Sequence, residues 1–225
     1  MRIAAVFEKS ERLRHIGHLD IQRSVQRGLR RSGLPVAYSN GFNPHILVSF
    51  ASALSTGACG KREIMDVSMA EDIGNEEFIN RMNKAMPPEM PILDARAIDD
   101  RHPSFPSLLK AAEYDIRFYD SACADRYISA IPAMIEKKSV ITIRKTKSGL
   151  KECDIRPLIY SISSADKHIF ATMALTEKEA CKPGMLLNAL RDISLTEDLP
   201  EVIVTRTALL GTDEKTGQLC PLETL

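Results

Sequence analysis

Apolar positions along the chain change period several times, and each change marks an element. The N-terminal run Met1–Glu8 reads as a strand. Ile21, Val25 and Leu29 then recur every fourth position, which predicts a helix over 18–32 that Gly33 ends. Extended segments are predicted at 35–39, 46–52 and 62–69, where Met65, Val67 and Met69 alternate with Ile64, Asp66 and Ser68. Asn75 is a candidate N-cap for a second helix with Phe78, Ile79, Met82 and Met86 on one face, and Pro87-Pro88 stops that run. A strand at 92–98 closes the first half.

The second half repeats this order. Tyr114, Ile116 and Phe118 alternate as a strand, and a helix over about 122–135 turns Tyr127, Ile128, Ile131 and Ile135 inward and is interrupted by Pro132. Strands at about 140–145 and 169–175, a short helix at 185–191 and a strand at 202–209 follow. Both halves read β-α-β-β-α-β, which predicts an α+β chain of tandem ferredoxin-like (split βαβ) modules with antiparallel sheets. The expected boundaries are 1–100 for the first module, 101–110 for a linker around Pro103 and Pro106, and 111–225 for the second module with a C-terminal tail.

Composition fits two such modules: 225 residues, 44% apolar and 27% charged, the balance of a folded globular chain. No apolar run approaches the roughly 18 residues of a spanning helix, and Glu8 and Lys9 interrupt the N-terminal run before a signal-peptide core develops. The five cysteines (59, 123, 153, 181 and 220) are odd in number and widely spaced, which predicts reduced thiols and a cytoplasmic protein. No zinc-knuckle pair and no three-cysteine loop for an iron–sulfur cluster is present, so neither a metal nor a cofactor of its own is expected. The net charge of zero hides a segregation: residues 1–62 hold ten Lys/Arg against three acids, and residues 63–120 hold six against thirteen. Such asymmetry points to one polyanion-facing side and one solvated or protein-facing side.

The basic segment carries the candidate chemistry. Advancing about 100° per residue sets Arg23, Arg27, Arg30 and Arg31 in an arc opposite Ile21, Val25 and Leu29. That stripe admits two readings: a solvated face with Asp20 paired to Arg23, or a phosphate-tracking face. Asn40-Gly41-Phe42-Asn43-Pro44 is a turn. A turn alone does not need Phe42 at its tip, with Tyr38, Asn43 and His45 beside it, and such side chains stack on and hydrogen-bond unpaired bases; the alternative is a ring tucked into the core. His15, His18 and His45 with Cys59 match no metal-ligand spacing, and His18 and His45 are weak candidates for acid–base work in RNA cleavage. A second basic segment, including Arg144, Lys145, Lys147 and Lys151 around Ser148-Gly149, is either a lysine-rich hairpin tip or part of the same surface. Arg156 either pairs with Asp154 or reaches a ligand. Among seven Phe and five Tyr, most fall at core positions, and no strand presents the ring pair of a sheet-face RNA reader.

These residues resemble a known family. Arg12-Leu13-Arg14, His18-Leu19-Asp20, the run Leu29–Pro35, Ala37-Tyr38-Ser39, Gly41-Phe42-Asn43-Pro44, Ser49-Phe50-Ala51 and Asp154-Ile155-Arg156-Pro157 are similar to the small radical-SAM-linked proteins of bacteria, an uncharacterised domain found beside or fused to B12-binding radical-SAM proteins. The chain departs from that pattern at Gly17, where serine is usual, and at Ile46-Leu47. The resemblance implies a setting among RNA-processing and ribosomal-protein genes and a radical-SAM partner, and it names no catalytic residue. The expected role is therefore an accessory module that presents RNA to that partner. A metal-independent endoribonuclease and a protein-only adaptor are the alternatives.

Overall fold

The computed structural model describes residues 1–146, 149–197 and 199–225. The chain is mixed α/β with mostly antiparallel strands, and it divides into two compact units: Met1–Leu109 with Ala208–Leu225, and Lys110–Thr207.

In the first unit β1 (Arg2–Lys9) leads through a loop into α1 (His18–Ser32); β2 (Val48–Phe50), β3 (Ala58–Ser68), α2 (Asn75–Ala85) and β4 (Ile92–Ile98) follow. The strand order is β4-β1-β3-β2, and every pairing is antiparallel. Ile3, Ala5 and Phe7 of β1 share the inward phase with Met65 and Val67 of β3. On them lie Ile21, Val25 and Leu29 of α1 and Phe78 and Met82 of α2, each large apolar side chain contributing about 1.5–3 kcal/mol on burial. Gly28 lets the helices approach closely, because a Cβ there would overlap the Met86 thioether. Gly33 closes α1 at φ 64°, a left-handed cap that suits glycine. Asn75 does not cap α2: it is the first helical residue, and its Oδ1 accepts the Ala97 N–H at 3.1 Å instead.

Two expected boundaries move. The segment expected as a linker forms α3 (Phe105–Leu108) and packs on the first unit, with Phe105 buried and the Arg2 guanidinium donating to the His102 carbonyl at 2.7 Å. Its prolines break helix propensity but do not stop an aromatic residue from finding a core.

The second unit holds β5 (Ala111–Phe118), α4 (Ser121–Ser129), α5 (Ile131–Glu136), the hairpin β6 (Ile141–Thr146) and β7 (Gly149–Asp154), β8 (Ile159–Ala165), β9 (His168–Ala174), α6 (Pro183–Ser194) and the first part of β10 (Val202–Thr212), whose residues from Ala208 onward belong to the first unit. Its sheet runs β10-β5-β9-β8, while β6 and β7 pair only with each other among the described residues. Ile131 and Met134 of α5 are buried, whereas Ile135, expected inward, is exposed. The break at Ala130 rephases the second helical turn. The tail was expected with the second module, but β11 (Leu219–Pro221) pairs with the end of β10, Leu222 is fully buried and Arg62 meets Glu223 at 2.6 Å, which ties it to the first unit. A tail's address depends on where a buried site awaits it, which periodicity does not encode.

Candidate nucleic-acid interface

The loop before α1 is organised from below by a residue that composition hides. Lys9 continues the inward phase of Ile3, Ala5 and Phe7 and is 2% exposed. Its Nζ donates to the carbonyls of Arg14 (3.1 Å), Ile16 (2.9 Å) and Ala58 (2.9 Å), the tetrahedral satisfaction a buried ammonium requires. Glu63 on β3 has the same inward phase as Met65 and is also buried. Both border a cavity of ≈ 10 Å³ with Phe7, His18, Phe50 and Ser52, room for about one water. Strand alternation carried the clue: a Lys and a Glu at core phase.

His18 opens α1 above this cavity. Its ring meets Phe50 edge-on at 5.4 Å between centroids, and its Nε2 lies 3.1 Å from Gln22 Nε2. His45 lies elsewhere, along a groove of ≈ 210 Å³ with Leu47, Ser49, Asp66 and Ser68, which is below the roughly 300 Å³ at which small-molecule pockets begin. The two histidines proposed for acid–base work therefore border different cavities. No group of three or more His, Cys, Asp or Glu side chains converges as a metal site among the described residues.

The arginine stripe divides by function. Arg23 pairs with Asp20 at 3.0 Å, and Arg31 donates to the Ala85 carbonyl at 2.5 Å, closing the end of α2. Arg27 and Arg30 are exposed and have no ion-pair partner among the described residues. Two cations of the four are thus uncommitted.

Beyond α1 the extended segment leads into a tight excursion. Tyr38 bridges to Ile46, the Ser39 N–H donates to the His45 carbonyl (2.8 Å), and the His45 N–H donates to Ser39 Oγ (3.1 Å). Ser39 Oγ also lies 2.8 Å from His45 Nδ1, which leaves Nε2 for a ligand. Gly41 takes φ 121° at the turn, a conformation L side chains rarely adopt. Asn40, Asn43 and Pro44 are exposed, Tyr38 is half exposed and Phe42 is 106% exposed. Phe42 is not tucked into the core: a braced base holds a bare aromatic tip in water. Arg30 and Tyr38 are eight residues apart in the chain, so at most about 29 Å of extended backbone separates them.

In the second unit Arg156 neither pairs with Asp154 through its side chain nor stands open: Nε and Nη2 donate to the Ile135 carbonyl at 3.3 and 3.2 Å, closing α5. Asp154 instead accepts the backbone N–H groups of Val140 (2.8 Å) and Arg156 (3.0 Å). Those bonds, Val140's foremost, hold its carboxyl below the ordinary range. Lys147 and Ser148 lie outside the described residues, as does the side chain of Lys145.

Residues 2–183 match the family described as an uncharacterised protein conserved in bacteria (DUF2344). No curated protein matches the chain.

Proposed function

Because the chain belongs to this uncharacterised bacterial family, its role has to be read from its own surfaces, and we propose that it is a cytoplasmic RNA-binding accessory module of a radical-SAM enzyme system. The observation that carries the reading is Phe42, wholly exposed on a hairpin whose base is fixed by Ser39 and His45. Exposing a phenyl ring fully to water has no folding benefit, and rigid exposed rings are what unpaired bases stack on. Arg27 and Arg30 supply the uncommitted cations for a phosphate backbone. Arg23 and Arg31, held by Asp20 and Ala85, contribute helix integrity more than contact, and Arg156 likewise. We read both units as ferredoxin-like, since β4-β1-β3-β2 and β10-β5-β9-β8 are the same permutation of four strands around two helical crossovers. The radical-SAM partner, possibly a B12-binding one, is proposed from the motif resemblance: a chain without a three-cysteine cluster needs a partner for radical chemistry.

Anisotropy titration with a labelled structured RNA, alone and with the radical-SAM partner, tests the reading. Replacing Arg27 and Arg30 together by Ala is expected to flatten the slope of log K against log salt by about 1.4–1.8, two phosphates' worth. Phe42→Ala is expected to weaken binding by about 1–3 kcal/mol with the slope unchanged. No RNA affinity at low salt in either setting would replace the proposal by a protein-adaptor role.

A further inference from the structure

The second unit's sheet has an uncovered face that the helices do not reach. Phe118 meets Tyr127 of α4 with centroids 5.5 Å apart, so Tyr114, Ile116 and Phe118 face the helices, and alternation turns Glu113, Asp115 and Arg117 to the other side. Cross-strand register carries that side over β9, where Arg117 lies opposite His168, Asp115 opposite Phe170 and Glu113 opposite Thr172. It continues onto β8 with Ser163 opposite Phe170 and Ala165 opposite His168. The sequence pattern offers no strand with an open pair of Phe or Tyr rings, whereas β9 carries an open pair whose second ring is an imidazole.

Phe170 sits on an interior strand and is 40% exposed. Its cross-strand neighbours Asp115 and Ser163 are too short to cover it. The His168 ring lies nearly parallel to it, centroids 5.7 Å apart and planes at 12°, and Asp115 Oδ1 holds His168 Nδ1 at 2.6 Å. The result is a shelf made of two stacked rings, with the imidazole fixed in orientation. Its rim is polar: Ser161 Oγ donates to Thr172 Oγ1 at 2.9 Å on one side, and Arg117 lies in register with His168 on the other.

We propose that this shelf stacks an unpaired base of single-stranded RNA, a second contact site on the other unit from Phe42. A protein side chain would be matched by a continuous apolar patch. Here a stacked pair of rings is bordered by hydroxyls and charges, the complement of a planar heteroaromatic with polar edges that can extend the stack. Bases within a duplex are already stacked on both faces, which restricts the occupant to single strands. The proposal rests on the RNA reading above, and its test separates the two.

The chain contains no Trp, so Phe170→Trp places a sole indole on the shelf. Full-length Phe170→Trp is titrated with a single-stranded eight-nucleotide RNA and with a blunt duplex, reading Trp emission and anisotropy together. The expected result is saturable quenching by the single strand, at the midpoint anisotropy gives, and none by the duplex. Phe170→Ala is expected to weaken single-strand binding by about 5- to 150-fold with the salt slope unchanged, and Phe170→Tyr to retain it. Binding by anisotropy with silent Trp emission and an unaffected Phe170→Ala would overturn the shelf and leave the Phe42 reading standing. No binding of any RNA by the unmodified chain would overturn both.

Discussion

Replacing Lys9 by Met removes one positive charge and three hydrogen bonds while keeping nearly the same length of apolar stem. The three carbonyls concerned belong to Arg14, Ile16 and Ala58, so the ammonium ties the loop before α1 to the start of β3. Bonds to a charged group contribute about 1.5–3 kcal/mol each, a gross loss of roughly 4.5–9. Against it stands the relief of no longer desolvating an ammonium, several kcal/mol. The Arg14 and Ile16 bonds are partly exposed and water can replace them, but the bond to Ala58 is buried, and an orphaned carbonyl there costs about 1–3 kcal/mol. The expected net loss is about 2–4 kcal/mol, concentrated in the first unit. Urea unfolding followed by circular dichroism, with hydrogen exchange to localise the effect to residues 11–17, measures it. Lys9→Arg is expected to fall between, because a planar fork cannot present three donors tetrahedrally. A loss below about 1 kcal/mol with unchanged exchange in that loop would refute the reasoning.

Two further outcomes follow from the thiols and carboxyls. Cys181 is fully buried, and burial pushes its thiol up to about 12, so native-state labelling at pH 8 is expected to reach Cys123, Cys153 and Cys220 and to modify Cys181 only on unfolding; rapid native labelling of Cys181, read by mass spectrometry, would contradict its placement. Asp154 has its carboxyl held below the ordinary aspartate value of about 3.8 by backbone N–H groups, so its contribution to stability is present above about pH 3.8 and is lost as pH falls through the lower folded value. Carboxyl ¹³C shifts are expected to show that low midpoint, Asp154→Asn is expected to lessen the acid-side loss of stability, and a midpoint at or above 3.8 would remove the argument.

Periodicity alone was enough for α1, whose predicted span matches the structure, and for β4, because a helix with Ile21, Val25 and Leu29 on one side can bury only that side. The exposure of Phe42 was half legible: turn residues located the tip, but only the bonds between Ser39 and His45 show that the base is braced and the ring bare. Lys9 and Glu63 stand at inward phase in the sequence, but the three carbonyls that make burial of the ammonium possible converge on it only in the folded chain. The arginine stripe could be drawn on a wheel, but which arginines are spent within the fold depends on Asp20 and Ala85, the second of them 54 residues from Arg31. The ring pair of β9 and the tail's attachment to the first unit were invisible for the same reason. Local pattern fixes which face of an element is apolar, whereas pairing register and the partners that meet across distant segments are set only when the chain closes on itself.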